Sequence, residues 1–424
     1  MKLKAGEEMT RRNCFIGQSG GPTAAVNASL AGIIDECLDS GQYDHVYGMI
    51  NGIKGLLEHK IIMLSEIFDD MDYLNLLKIT PAMYLGSCRF KLPEYHDDPQ
   101  TYHYLFRIFK EYEITDFYYI GGNDSMDTVA KLTKYGKLIK SSIKFIGIPK
   151  TIDNDLMGTD HTPGFGSAAK YVATSMKEII YDSSIYKLEA ITIVEIMGRN
   201  AGWLTAASAL ARSQHSTPPD LIYLPEVPFD LEKFKDDIRE IFKHKNTMII
   251  AVSEGIKDKN GDYLDTDSSY VKRDAFGHII HSGTGKVLET VAAEEFNCKV
   301  RSIELNVLQR CAGHVSSLTD INESFEVGKT AVRTALEDHS GVMIVIERVS
   351  NDPYEIKCVY KDVTNIANKE KSVPVEWIND DHNDITEEFY QYLYPLIQGE
   401  VIQEYKDVIP HYVDITHLNK TLEK

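Results

Sequence analysis

Phe117-Tyr118-Tyr119-Ile120-Gly121-Gly122-Asn123-Asp124-Ser125 and, further along, Lys144-Phe145-Ile146-Gly147-Ile148-Pro149-Lys150-Thr151-Ile152-Asp153-Asn154-Asp155 decide how this chain folds. Each begins as an apolar run of strand type and breaks at glycine or proline into polar residues. Between them, Met126 to about Tyr135 carries a helical pattern. Two strands joined through a helix run parallel and release their loops at the same edge of a sheet. In open α/β sheets that edge is where ligands bind.

The two loops hold three carboxylates (Asp124, Asp153, Asp155), Lys150, and the small or hydroxyl-bearing residues Gly122, Ser125 and Thr151. This set suits phosphoryl transfer. That reaction uses one carboxylate to hold Mg2+, another to accept a hydroxyl proton, and backbone N–H groups and cations around the phosphates. Taken alone, Gly-Gly-Asn-Asp-Ser is explained better as a turn and helix cap, where Asn, Asp and Ser all serve. Thr151-Ile152-Asp153-Asn154-Asp155, directly after a buried strand, is poorly explained by turn geometry, and it carries the functional argument.

Upstream, Cys14-Phe15-Ile16-Gly17 reads as a strand and Gln18-Ser19-Gly20-Gly21-Pro22-Thr23 as a tight loop, with a helix following to about Asp39. Exposed N–H groups at such a helix start favour an anion, although tight turns need glycine for backbone reasons too. Tyr84-Leu85-Gly86-Ser87-Cys88-Arg89 is a further loop. The Arg89 guanidinium could bridge two phosphates or pair with a surface acid. Downstream, a helix begins at about Gly166 and a strand over Ala190–Ile196 ends in Met197-Gly198-Arg199. A helix is expected from Ala201 to Arg212. Another strand ends in Ser253-Glu254-Gly255, and a later one carries Arg301 ahead of Val307-Leu308-Gln309-Arg310. The alternation of strand and helix predicts an α/β protein with mostly parallel sheets, and 424 residues suffice for two domains.

Apolar residues make up 43% of the chain and charged residues 26%, the balance of an ordinary soluble globular protein. A formal charge of −19 argues against a nucleic-acid partner, so any phosphate site must gather its cations locally. The six cysteines show no zinc spacing, and there is no apolar run near the length of a membrane span. The chain therefore reads as cytoplasmic, with reduced thiols and no membrane partner. His278 and His281 lack the glutamate of a zincin motif.

Taken together, Ser19-Gly20-Gly21, the Arg89 loop, Gly-Gly-Asn-Asp-Ser, Pro-Lys-Thr-Ile-Asp-Asn-Asp, Met-Gly-Arg and Gln-Arg resemble the 6-phosphofructokinases, specifically their pyrophosphate-dependent branch. The resemblance implies two Rossmann-like α/β/α domains. Residues 1–165, completed by about 309–345, would hold pyrophosphate and Mg2+, and residues 166–308 would hold fructose 6-phosphate. Residues 346–424 would be C-terminal strands and a helical extension for packing or oligomer contacts. It also implies a homo-oligomer, dimer or tetramer.

By the same resemblance, Asp153 is the base on the sugar 1-hydroxyl, and Thr151, Arg89, Asp124 and Lys150 complete the catalytic set. Gly20, Gly21, Gly122, Asn123, Asp124, Ser125 and Lys150 face pyrophosphate. Thr151, Ile152, Asp153, Met197, Gly198, Arg199, Glu254, Arg301, Val307 and Arg310 face the sugar phosphate, and Asn123, Asp124 and Asp155 organise Mg2+. Asp124 and Lys150 replace glycines of ATP-using relatives. An aspartate in the space of the ATP α-phosphate both fills and repels it, so the donor is chosen by exclusion.

The chain departs from the family pattern at Asn123, where an aspartate is usual, at Val307, where a histidine or tyrosine is usual, and at Cys311-Ala312, in place of Gly-Gly. An ATP-dependent phosphofructokinase, a sedoheptulose 7-phosphate kinase and a non-catalytic subunit of the same fold remain as alternatives.

Overall fold

The computed structural model describes residues 11–88, 90–185, 187–214, 216–264 and 283–418. Eleven of its strands build two sheets: β1 Arg12–Gln18, β2 Tyr43–Met49, β3 Ile61–Met63, β4 Asp116–Gly121, β5 Lys144–Pro149, β6 Ala190–Ile196, β7 Leu221–Tyr223, β8 Thr247–Ser253, β9 Lys299–Glu304, β10 Val342–Asn351 and β11 Tyr354–Asp362. The first sheet runs β11-β10-β5-β4-β1-β2-β3 and the second β7-β8-β6-β9. All four strands of the second sheet are parallel, and in the first only the edge strands β3 and β11 run antiparallel to their neighbours. Two mostly parallel α/β sheets are the fold that the sequence predicts.

Strand alternation divides the core. Along β4, Tyr118 and Ile120 point to one face of the sheet, and Phe117 and Tyr119 point to the other. Both faces are dry, as a parallel sheet covered by helices requires. In the second sheet Val194 and Ile196 face one cluster, and Ile191 and Ile193 face the other. From β1 the chain passes to β2 on one side, whereas β4, β5 and β10 extend on the other. The order therefore reverses between β1 and β4, and a crevice forms outside the carboxyl ends of strands that part in this way.

Several elements differ from the sequence reading. The helix after β4 spans Asn123–Leu138, so Asn123-Asp124-Ser125 form its first turn instead of a loop before it. Gly122, in extended backbone, takes the N-cap position, and Asp124 in the first turn complements the helix dipole. The helix expected over Ala201–Arg212 is shorter, Trp203–Ala207, and tightens into a 3-10 turn over Ser208–Ala211. A later helix starts at Leu318, where the Ser317 side chain accepts from the Asp320 N–H and caps it. Both β10 and β11 join the first sheet, so strands beyond residue 346 belong to the same layer as β1. His278 and His281 lie outside the described residues.

Candidate active site

At the β1/β4 crevice three loops meet. Gly20 adopts φ +84°, a conformation glycine takes without strain, and a side chain there would meet the Lys150 ammonium. Lys150 comes from the end of β5 and reaches back across the crevice, where its Nζ donates to the Gly21 carbonyl at 2.7 Å. The Lys150 N–H donates to the Gly121 carbonyl at 3.0 Å, which fixes the two strand-end loops side by side. Gly121 must be glycine because a methyl there would collide with the Ser125 hydroxyl of the helix start. Asn123 Oδ1 is buried with no hydrogen-bond partner, and Asp124 is half-buried beside it in the sequence.

Thr151, Ile152 and Asp153 turn away from β5. The Asp153 N–H donates to Thr151 Oγ1 at 3.1 Å, and that hydroxyl lies 3.5 Å from Asp153 Oδ2. Ile152 is buried in the core beneath the second sheet, which anchors the turn. Burial pushes the Asp153 carboxyl above the usual carboxylate range, and Lys150, Arg199 and Arg310 pull against that. Three cations from three separate loops thus converge on one carboxylate, the local concentration of positive charge that a −19 chain needs. Burial likewise brings Lys150 down to about 8, resisted by Asp153 and Asp155 and reinforced by Arg310. Asp155 is pushed up to about 7, first by burial and then by Asp153 and Glu370.

The second sheet supplies the opposite wall. Gly198, at φ +138°, lies in the loop just after β6 and donates its N–H to Glu254 Oε1 at 3.3 Å, just past β8. Met197 N–H donates to Gln309 Oε1 at 3.2 Å, which ties the β6 loop to the short helix Leu308–Cys311. Burial, then Asp153 and Glu195, raise Glu254 to about 7. Arg199 carries a buried Nε with no partner, and its charge is felt by both Asp153 and Glu254. Arg310 lies beside Gly21 and spans from the second wall to the first. Two orphaned polar atoms, an acceptor on Asn123 and a donor on Arg199, and a ring of cations make a site shaped for an anionic ligand that brings its own partners.

Most of the expected residues are therefore together. Arg301 is not among them within this chain: it pairs across from Thr192, well short of the strand end, and binds Thr192 Oγ1, Asp182 and Ser183. Val307 is exposed. Arg89 lies outside the described residues. Among the described residues no three or more His, Cys, Asp or Glu side chains form a metal cage. Mg2+ does not need one, since it binds through one or two carboxylates and substrate phosphates.

The model of the phosphofructokinase family matches residues 13–335. The chain belongs to the phosphofructokinase family. Among the phosphofructokinase relatives, pyrophosphate–fructose 6-phosphate 1-phosphotransferases of Xanthomonas campestris and Halomonas elongata are 38% and 37% identical to it. The first alignment covers 97% of both chains, and the second covers 95% of this chain and 96% of the relative. A solved pyrophosphate-dependent phosphofructokinase from Nitrosospira multiformis superposes with a TM-score of 0.85 at 36% identity, covering 95% of this chain and 96% of that one.

Sequence reasoning missed Glu370 and Lys371. In the sequence Lys369-Glu370-Lys371 is a short charge run of the kind found on solvated loops. In the phosphofructokinase fold it lies against the Asp153–Asp155 turn, where Glu370 acts on the Asp155 carboxyl and Lys371 opposes it. No local pattern announces that.

Proposed function

We propose that the protein transfers a phosphoryl group from pyrophosphate to the 1-hydroxyl of fructose 6-phosphate, giving fructose 1,6-bisphosphate and phosphate in a readily reversible step. The observation that carries this is Asp153, a half-buried carboxylate between Lys150, Arg199 and Arg310, in a chain that aligns end to end with relatives named for this reaction. Asp153 takes the proton of the 1-hydroxyl as that oxygen attacks phosphorus. The bond from phosphorus to the bridging oxygen breaks, and the electron pair leaves with the departing phosphate. A carboxylate whose affinity for protons is raised by burial is a better base than one in water. Lys150 and Arg89 stabilise the charge on the transferring group, and Thr151 orients Asp153 through the bond to its N–H.

Gly20, Gly21, Gly122 and Ser125 receive the pyrophosphate with their loops, close to the start of the Asn123–Leu138 helix. Met197, Gly198, Arg199, Glu254 and Arg310 receive the sugar phosphate. Mg2+, held through Asn123, Asp124, Asp155 and pyrophosphate oxygens, would neutralise developing negative charge, and the orphaned Asn123 Oδ1 suits such a ligand. Lys150, buried and tied to Gly21, supports the exclusion of ATP together with Asp124. We assign the unit built on the first sheet to pyrophosphate and the unit built on the second to the sugar.

The assembly is a homo-oligomer, dimer or tetramer. Tyr181, Ile185 and Leu188 are 67%, 70% and 74% exposed next to Arg301, which then serves a sugar phosphate held by a second copy. Six free cysteines suit the reducing cytoplasm.

The test is turnover of fructose 6-phosphate with Mg2+ and either pyrophosphate or ATP as the only donor, with sedoheptulose 7-phosphate run beside it. Turnover with pyrophosphate alone is expected, whereas turnover with ATP alone would overturn the donor assignment. Asp153→Asn is expected to lower kcat by about 10²–10⁴-fold while fructose 6-phosphate still binds. Wild-type rates in that variant would remove Asp153 from the role of base.

A further inference from the structure

The segment Glu370–Val373 joins the two walls of the site. Glu370 forms an isolated antiparallel bridge with Leu156, and the Lys371 N–H donates to the Asp155 carbonyl at 2.7 Å, so this strand lies along the outgoing arm of the Asp153 turn. From the same residues it grips the other wall. The Glu370 carboxylate accepts from Asn200 Nδ2 at 3.2 Å, next to Arg199. The Lys371 carbonyl accepts from Trp203 Nε1 at 3.0 Å. Val373 N–H donates to Glu226 Oε1 at 3.0 Å, the oxygen that also accepts from Gly202 N–H at 2.8 Å. Asn200 lies within the loop after β6, Trp203 opens the helix that follows it, and Glu226 is bonded to the loop through Gly202.

The Lys371 side chain completes the junction. Its Nζ donates to the Asp160 carbonyl at 2.7 Å and lies 3.3 Å from both the Thr159 carbonyl and Asn154 Oδ1. It also sits 4.8 Å above the Trp203 ring, so one ammonium is shared between the loop of the first unit and the indole of the second. Asn154 is the residue between Asp153 and Asp155, held at φ 54°. That conformation is uncommon for a side chain larger than glycine and persists where its surroundings hold it. Three oxygens thus surround the Lys371 ammonium within 3.3 Å, one for each of its protons, whereas Lys150 Nζ, among the described residues, donates to the Gly21 carbonyl alone.

We propose that Lys371 is a positioning residue for phosphoryl transfer, setting the distance between the Thr151–Asp155 turn and the Met197–Gly202 loop. The inference rests on the reading that Asp153 and Arg199 act on one bound sugar phosphate. An error of about 1 Å in such an alignment costs up to about a hundredfold in rate without removing any substrate contact. Lys371 therefore acts on kcat more than on KM.

Steady-state kinetics of Lys371→Met, Lys371→Arg and Trp203→Phe in the full-length protein test this, with the folded fraction of each measured by circular dichroism and a thermal melt. Lys371→Met, folded, is expected to lose about ten- to a hundredfold in kcat with both KM values within about threefold. Lys371→Arg, which keeps donors and can stack on the indole, is expected to recover most of the loss. Trp203→Phe is expected to lose less than Lys371→Met. The proposal is overturned by a Lys371→Met kcat within twofold of wild type, by a loss that tracks the folded fraction, or by a rise in KM at constant kcat. Absence of pyrophosphate-dependent turnover in the wild type sinks the functional reading instead, whereas a wild type that turns over beside an indifferent Lys371→Met sinks only this inference.

Discussion

Lys150 shows how one side chain takes its chemistry from its place. In water its amine would hold a proton well above neutrality. Burial, helped by Arg310, lowers it to about 8 against the pull of Asp153 and Asp155. The free enzyme then loses this cation as pH rises through 8, and with it the attraction for pyrophosphate. We expect kcat/KM for pyrophosphate to fall across that interval, because this ratio reports the ionisations of the free enzyme. Lys150→Arg, which stays charged, is expected to shift the decline to higher pH even if its overall rate is lower. The same decline in both proteins would assign it to another group. Gly20 belongs to the same account, since any side chain there would occupy the space of the Lys150 ammonium.

Elements meet here by close backbone approach as much as by side-chain packing. The helices Val26–Asp39 and Leu318–Leu336 cross where Gly32 faces the Phe325 carbonyl and Gly328 faces the Ser29 carbonyl. In each case a methyl group would meet backbone that cannot rotate aside. Gly328→Ala is expected to destabilise the protein by about 1–3 kcal/mol, the usual cost of overpacking, read as a lower midpoint in urea with an unchanged slope. A variant as stable as wild type would mean that the helices slide apart freely. The same first helix also positions the site: Asn27 Oδ1 accepts from Gln18 Nε2 at 3.0 Å and from the Tyr84 N–H at 3.0 Å, and its Nδ2 donates to the Thr80 carbonyl at 3.0 Å. This places the end of β1 against the loop that leads toward Arg89.

At the scale of the molecule, a buried charge network ties the C-terminal part of the chain to the catalytic turn. His161 Nδ1 is 2.8 Å from Asp160 Oδ2 and its Nε2 is 2.6 Å from Glu323 Oε2. Tyr354 from β11 donates to the other Glu323 oxygen, and Arg348 from β10 donates to Asp160. The Tyr392 hydroxyl donates to the Asp160 carbonyl and accepts from Asn154. Although burial opposes it, the two carboxylates raise His161 to about 9. A histidine raised in the folded state stabilises fully below its unfolded value, about 6.5, and loses that contribution as pH climbs through 9. His161→Gln is therefore expected to cost about 3–5 kcal/mol near pH 6, since it leaves buried charge uncompensated. The gap from wild type should narrow toward pH 10. Unfolding free energies of the two proteins at several pH values check this, and a constant gap would mean that His161 is neutral throughout.

What could be read from the sequence was local. Apolar runs of strand length, glycine at their ends and helical spacing between them place β1, β4, β5 and β6 and release Gly20, Asn123, Asp153 and Arg199 at sheet edges. Those signals lie within a few residues of one another, so the chain displays them without folding. The start of the helix at Asn123, three residues ahead of the pattern that begins at Met126, is less legible because it depends on which residue takes the cap. Tertiary structure alone decided the rest. His161 and Glu323 stand 162 positions apart, and Lys371 reaches Asp155 only because the chain returns after β11 to lie along the catalytic turn. The lowered Lys150, the raised Asp155 and the separation of Arg301 from the other cations likewise follow from burial and neighbours, which no spacing of residues along the chain encodes.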